Sequence, residues 1–402
     1  MTQEQILEQF ELLKEKELVY FDNSASTLKP KIVCDAVDYY NRYESANSGR
    51  GIYRLAFEVT SKVELAREKM AKFLSCESQE IIFTKNTTES INMIALTFAK
   101  QVVKAGDEII VSDIEHHSNY LPWLNLAKQT GAKLIKIPLT KEGRITVENV
   151  QKVLSDKTKF VALTAVSNTF GYICPVKEII KVAKEKGAYV LVDGSQATSH
   201  FKIDLKDWNC DFFALSGYKM FAPSGVGVLF GKKELLSQTQ PLFQGGGMVL
   251  DIIEEQVTFK DLPHKFEAGT LPIADIIGLS NAIDFLQDVG FEAIEKQESQ
   301  LKQYLFEELS KVKGIEIYNQ TTDLPLVLFN VSDAHAHDVA SMYDEFNICV
   351  RAGNHCASLV NNFLSQIATI RASLSFYNTK QEIDKFIFAT KQIVKFFEKY
   401  KG

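Results

Sequence analysis

Lys219 is the residue of this chain whose setting most calls for chemistry. It follows an apolar run, Phe212 to Leu215, that reads as a buried strand and stops at Ser216-Gly217, where the chain must turn. A Pro/Ser/Gly loop and a second apolar run, Val226 to Phe230, come after it. Desolvation lowers an amine's pKa, so a lysine walled by apolar residues offers more of the neutral nucleophile at pH 7. Such an amine can form a Schiff base with a carbonyl cofactor. The plainer reading is a surface lysine in a turn between two strands.

Upstream, Ala188 to Val192 is another buried strand, and it ends in Asp193-Gly194-Ser195-Gln196. A carboxylate at the C-terminal end of a strand in an α/β sheet sits where ligands bind. Pyridoxal phosphate needs a lysine for its aldehyde and a carboxylate to keep its pyridine nitrogen protonated, so that the ring can take up electrons. Asp193 and Lys219 fit those two roles. Asn86-Thr87-Thr88 opens a helix, whose free N–H groups and partial positive charge suit a phosphate. Thr87 and Thr88 add hydroxyls; the competing reading is an ordinary helix cap. A strand over 108–112 leads to the adjacent pair His116-His117. Neighbours on a strand point to opposite faces, which argues against a shared metal. A flat imidazole can instead stack on a pyridine ring and carry protons. His117 is expected to make a structural hydrogen bond. Cys356 stands on a Gly/Asn loop beside His355 and near Arg351, the positive surroundings that favour a thiolate. His335 and His337 form an H-x-H pair with no further ligand cluster, so no metal site is expected.

These motifs, in this order, resemble the class V aminotransferase family of fold-type I pyridoxal-phosphate enzymes, and within it the SUF-type cysteine desulfurases and selenocysteine lyases. The resemblance runs from about Tyr20 to the C-terminus. It implies a homodimer acting on L-cysteine or L-selenocysteine, with pyridoxal 5'-phosphate on Lys219 and a persulfide carried by Cys356. It further implies His116 as the ring-stacking and proton-carrying residue, and Asn168 and Gln196 near the ring oxygen. Ser216 and Tyr218 would contact the phosphate. Thr270, in Phe266-Glu267-Ala268-Gly269-Thr270, would reach the phosphate of the neighbouring subunit. Arg371 would hold the substrate's carboxylate with Arg351, and Asn168, assisting. A sulfur-acceptor protein and a link to iron–sulfur cluster assembly belong to the same picture. Tyr53, Tyr218 and Asn354 stand where the relatives usually carry histidines. Another class V reaction, transamination or a different C–S cleavage, is the alternative. Ser216-Gly217-Tyr218-Lys219 also fits the S-x-x-K pattern of serine hydrolases, but the companion S-D-N and K-T-G elements are absent.

The elements that must position these residues alternate as an α/β chain does. Strands are expected over 80–84, 108–112, 133–137, 160–164, 188–192, 212–215 and 226–230, with helices over 31–43, 56–74, 86–100, 122–130 and 147–154. The fold class is therefore α/β, with a mostly parallel sheet in a large domain over residues 20–271. A smaller α+β domain over 272–402 follows, with helices at 276–289, 291–313 and 380–399 and strands at 326–330 and 348–350. Residues 2–17 read as one charged amphipathic helix, and the arm 1–19 is expected to pack with the small domain. A net charge of -6 gives no electrostatic case for nucleic acid or an anionic membrane. No apolar run is long enough to span a bilayer. The six cysteines include no CxxC pair, so a reducing, cytoplasmic setting is expected.

Overall fold

The computed structural model describes residues 1–49 and 51–399; Arg50, inside the stretch that should face the active site, lies outside the described residues, as do the last three positions. A short strand β1 (Val19–Tyr20) is followed by the seven strands of the main sheet. They are β2 (Ile81–Thr84), β3 (Glu108–Ser112), β4 (Lys133–Ile137), β5 (Thr158–Thr164), β6 (Tyr189–Asp193), β7 (Phe212–Ser216) and β8 (Gly227–Gly231). Their order across the sheet is β2-β8-β7-β6-β5-β3-β4. β8 runs antiparallel to both of its neighbours and every other adjacent pair is parallel. The expected mostly parallel α/β architecture is what the chain adopts.

The strands read as unbroken apolar runs because both faces of the sheet are covered. Val190 and Val192 of β6 join one buried cluster, while Leu191 joins the cluster on the opposite face. Two glycines allow close approaches at the strand ends. A Cβ on Gly194 would lie 1.9 Å from the Phe213 ring. A Cβ on Gly227 would lie 2.5 Å from the Asn86 Cα, so only glycine lets β8 start against the helix Thr87–Ile94.

A hairpin of β9 (Val249–Ile253) and β10 (Gln256–Phe259) projects with most of its side chains exposed. Then come β11 (Ile315–Ile317), β12 (Leu326–Val331), β13 (Ile348–Cys349), β14 (Arg351–Gly353) and β15 (Thr369–Ser373). Four of these form an antiparallel sheet in the order β11-β12-β15-β14. β13 pairs in parallel with β1. Val327, Phe329, Ile370 and Ala372 pack on Tyr343 and Phe386 and also bury Val19 and Phe21 from the N-terminal segment. The Ser373 N–H donates to the Phe21 carbonyl at 2.7 Å, which lays Asp22 beside β15.

The expected single N-terminal helix is instead two, Gln3–Glu8 and Glu11–Lys16. Phe10 leaves helical geometry at φ -111°, ψ 82° and buries its ring against Phe285 and Tyr377, with centroids 5.9 and 4.4 Å away. Burying an aromatic outweighs two further helical hydrogen bonds in an isolated turn. The helix expected over 31–43 is α-helical only over Lys31–Tyr39 and widens into a π turn over Tyr40–Glu44. Among the described residues no helix is long and apolar enough to cross a membrane.

One buried ion pair ties the first long helix, Arg54–Leu74, to the loop before Thr270. Arg67 Nη1 and Nη2 lie 2.7 and 3.0 Å from the two oxygens of Glu267, and the Phe83 N–H donates to the same carboxylate at 2.9 Å. Burial pushes the Glu267 carboxyl up, but the Arg67 charge and the hydrogen bonds outweigh it and hold it below the usual carboxylate value. Because the folded value is the lower one, this stabilisation is in place above the ordinary carboxylate range and fades as pH falls through the folded value. Glu267→Ala leaves a guanidinium 1% exposed with only the more exposed Glu64, 3.0 Å from its Nε, as counter-ion, and is expected to cost about 3 kcal/mol. A chemical-denaturation midpoint equal to the parent's would show that Arg67 does not need Glu267.

Candidate active site

The residues that could do chemistry gather at the C-terminal ends of the parallel strands. β7 ends at Ser216, and a 3₁₀ turn, Gly217–Lys219, carries the lysine side chain inward. Burial pushes the Lys219 amine down to about 8, against the upward pull of the Asp193 carboxylate. Cys356 pulls the same way as Asp193, while Arg371 and Arg351 lower it further. The turn itself is held from the N-terminal segment. The Tyr218 carbonyl accepts from the Thr27 N–H at 3.0 Å and from Lys29 Nζ at 3.0 Å, and the Phe221 N–H donates to Thr27 Oγ1 at 2.8 Å. Lys29 had no part in the sequence reading, and Thr27 only as the end of the polar segment 22–27; nothing in their spacing links them to a residue some 190 positions away.

Thr87 opens its helix beside this turn. Its N–H donates to Ser216 Oγ at 2.9 Å, the Ser216 hydroxyl donates to Thr87 Oγ1 at 2.9 Å, and Ser195 Oγ lies 2.6 Å from Thr87 Oγ1. Ser195 completes this buried hydroxyl cluster and was not singled out from the sequence, although it sits between two residues that were. Asp193 ends β6, only 4% exposed, and its Oδ1 accepts from the Ser195 N–H at 2.9 Å. Gln196 is buried and donates to the Ser24 carbonyl at 2.7 Å. Tyr218 is half-buried, with its hydroxyl in hydrogen-bond reach of Ser216, and burial raises its pKa. Thr88 is exposed, and its hydroxyl lies 2.7 Å from Ser118 Oγ.

His116 is held through that same serine, with Nδ1 3.0 Å from Ser118 Oγ and accepting from the Ser118 N–H at 3.1 Å. Burial drives its pKa down to about 3, helped by the nearby charges of Lys219, Arg351 and Arg371, so the ring is neutral at pH 7. The two histidines are not on a strand. His116 caps a 3₁₀ turn, His117–Asn119, so alternation of strand faces does not govern them. His117 makes the structural hydrogen bond expected of it, with Nε2 3.0 Å from Ser358 Oγ. Beneath them Glu115 is buried, accepting from Ser112 and Asn119.

The second half of the site comes from β14 and β15, where Arg351 and Arg371 are directly opposed. Arg371 is 1% exposed; it donates to the Asn168 carbonyl at 2.8 Å and to Asp22 Oδ1 at 2.9 Å, and its Nε has no partner. The Asn168 side-chain amide donates to the His355 carbonyl at 2.8 Å. Arg351 Nη2 lies 3.7 Å from the Cys356 sulfur. His355 does not join it. Its ring is buried with Nε2 3.0 Å from Thr369 Oγ1, and burial holds its pKa well below the usual value. The positive neighbour of Cys356 is therefore Arg351, not the adjacent histidine. Asp22 pins Arg371 from 349 residues away; it opens the segment Asp22 to Thr27, which the family resemblance places near the mouth of the site without giving Asp22 a role of its own.

Thr270 is not brought to Lys219 within the chain. It is exposed at a separate cleft of about 460 Å³ with Asn47, Gly49, Gly246 and Lys260. Among the described residues no three His, Cys, Asp or Glu side chains converge as a metal site, and all six cysteines are free thiols.

The chain is similar to known proteins over nearly all of its length. A probable cysteine desulfurase of Halalkalibacterium halodurans is 47% identical over 369 residues, covering 91% of each chain. The structure of a cysteine desulfurase from Thermococcus onnurineus NA1 superposes with a TM-score of 0.94 at 36% identity, covering 98% of this chain and 99% of that one. The cysteine desulfurase CsdA from Escherichia coli gives a TM-score of 0.92 at 35% identity, with the same coverage. The family model for aminotransferase class-V matches residues 19–386, from β1 into the last helix, and the chain belongs to that family.

Proposed function

We propose that this chain is a pyridoxal-phosphate-dependent cysteine desulfurase, which takes sulfur from L-cysteine as a persulfide on Cys356 and releases L-alanine. The observation that carries the proposal is the company Lys219 keeps. Asp193 from the end of β6, and Arg351, Cys356 and Arg371 from a distant stretch over 351–371, all act on one buried amine. The set fits the cofactor: a lysine amine pushed down to about 8, a buried carboxylate, and the hydroxyls of Thr87, Ser195 and Ser216 at a helix N-terminus where a phosphate would draw donors. When bound, the cofactor's protonated ring withdraws electrons from the substrate's α-carbon.

The chain's own residues supply the rest. Asp193 would hold the ring nitrogen protonated, and His116 would stack on the ring. Asn168 and Gln196 would serve the ring oxygen, and Tyr218 with Ser216 would serve the phosphate. Arg371 takes the substrate carboxylate, with the Nε–H that has no protein partner available to it. Arg351 and Asn168 assist. The Lys219 amine would accept the α-proton. His116, neutral at pH 7, starts as a proton acceptor. The Cys356 thiolate attacks the substrate sulfur: an S–S bond forms, the C–S bond breaks, and the β-carbon takes a proton as alanine leaves. L-selenocysteine would bind the same site, and its cleavage needs no attack by Cys356. A second copy of the chain, with Thr270 reaching its phosphate site and Thr88 near by, completes a homodimer. A cytoplasmic setting and a sulfur-acceptor protein that feeds iron–sulfur assembly complete the reading.

The experiment is a product assay. L-cysteine with a reductant should yield alanine and sulfide in equal amounts; a keto acid in place of alanine would assign transamination instead. Arg371→Lys replaces a planar fork by a point charge and should raise the KM for cysteine roughly tenfold. A parent-like KM in steady-state assays would move carboxylate binding to Arg351.

A further inference from the structure

We propose that His117 is a positioning residue for the sulfur-accepting loop, tying Cys356 and the first turn of the helix Ser358–Leu364 to the end of β3 through its backbone and its ring. The inference rests on Cys356 being the sulfur acceptor.

The loop needs such a tie. His355 and Cys356 both hold left-handed backbone, at φ 51° and 55°. Side chains with a Cβ disfavour that region and stay there only where surrounding contacts fix them. The helix that follows begins badly. Its N-cap is Ala357, which has no side-chain oxygen, and no side-chain cap bond is made there. His117 supplies both needs from an element 241 residues away. Its N–H donates to the Cys356 carbonyl at 2.7 Å. Its Nε2 accepts from the Ser358 N–H at 3.1 Å, doing for this helix what a capping side chain does elsewhere. An N–H can bond only to a nitrogen with a free lone pair, so the imidazole is neutral with its proton on Nδ1. Burial lowers its pKa and favours that form.

The residue one place earlier, His116, is the ring that faces Lys219's site. A single two-residue step in the chain therefore fixes the imidazole at the cofactor side and the thiol at the sulfur side. A slack tie would leave binding of cysteine intact and slow only the delivery of sulfur to Cys356.

The test compares His117→Leu, which keeps bulk without an acceptor, and His117→Gln, whose amide oxygen can reach the place of Nε2, in the cofactor-loaded enzyme. His117→Leu should lower kcat for persulfide formation about fivefold. KM for cysteine and the visible absorbance of the lysine-bound cofactor should stay at parent values. Amide hydrogen exchange over 354–359 should quicken, and His117→Gln should restore both exchange and kcat. Should His117→Leu fail to take up cofactor, His117→Asn, too short to reach Ser358, replaces it in the comparison. Parent-like exchange and kcat in the Leu variant, or equal damage in Leu and Gln, would overturn the proposal. Cys356→Ser run in parallel separates the two ideas. If that variant turns over cysteine normally, the acceptor reading fails; if it is inactive while His117→Leu behaves as parent, only the positioning role fails.

Discussion

Lys219→Ala is expected to bring cysteine turnover to background while leaving the fold in place. The amine has two tasks on this reading, and both vanish with it. It anchors the cofactor covalently, and it takes the α-proton from the substrate. Proton transfer by a positioned side chain is alone worth about 10²–10⁴-fold. The fold should survive because the turn is fixed by backbone bonds that alanine keeps. The Tyr218 carbonyl still accepts from Thr27 and Lys29, and the Phe221 N–H still donates to Thr27. Removing a buried amine also lifts a desolvation cost, since burial is the largest influence on it. Borohydride reduction of the parent followed by peptide mapping should place the cofactor on Lys219, and the variant should show no reducible linkage. In cofactor-free parent protein the rate of that linkage should climb as pH rises through about 8, because the neutral amine is the nucleophile. Cofactor on a different lysine, or residual turnover in Lys219→Ala near the parent rate, would remove Lys219 from the mechanism.

What the sequence disclosed of this site and what it hid follow from one physical distinction. Lys219 and Asp193 were legible because each terminates a run of apolar residues that no solvent-facing segment would carry. Both faces of the sheet are buried, so the strands announce themselves, and their ends mark the cleft. The β9–β10 hairpin was not legible for the opposite reason. Its side chains are mostly exposed, so Leu250, Ile252 and Ile253 answer to no alternating pattern. β15 was missed as a strand because an arginine stands in the middle of five residues; that arginine is buried only because Asp22 and Asn168 meet it. Such meetings are set by tertiary packing. Arg371 with Asp22, His117 with Ser358 and Arg67 with Glu267 lie 349, 241 and 200 residues apart. Adjacent residues also misled. His355 looked like the partner of Cys356, yet a left-handed backbone at both positions turns the imidazole to Thr369 and leaves the thiol to Arg351. The resemblance to a family placed the roles; only the fold shows which atoms are free to play them.

Cys356→Ser should separate desulfuration from every other reaction this family performs. The variant alters one atom at a half-buried position, so the loop contacts from Asn354 and His117 to the backbone remain. Cofactor binding by Lys219 and substrate binding by Arg371 are expected to survive it. What changes is the nucleophile. A thiolate beside the Arg351 guanidinium can attack the substrate's sulfur, whereas a serine hydroxyl is not ionised at neutral pH and is a far weaker nucleophile toward sulfur. The nearest imidazole in sequence, His355, is committed to Thr369 and cannot serve. Cysteine desulfuration should therefore fall roughly a hundredfold or more, with KM and the cofactor's absorbance unchanged. Selenocysteine cleavage is expected to persist in part, because selenide leaves without needing a thiolate to attack it. Peptide mapping of the parent after cysteine treatment should find one extra sulfur on Cys356. Cys349 lies on β13 and Cys34 near the N-terminal arm, and burial raises both thiols' pKa values, which disfavours the reactive form. Extra sulfur on either of them, or parent-rate desulfuration by Cys356→Ser, would mean that sulfur leaves this site without passing through Cys356. The substitutions Tyr53, Tyr218 and Asn354 would then be the first places to look for a different class V reaction.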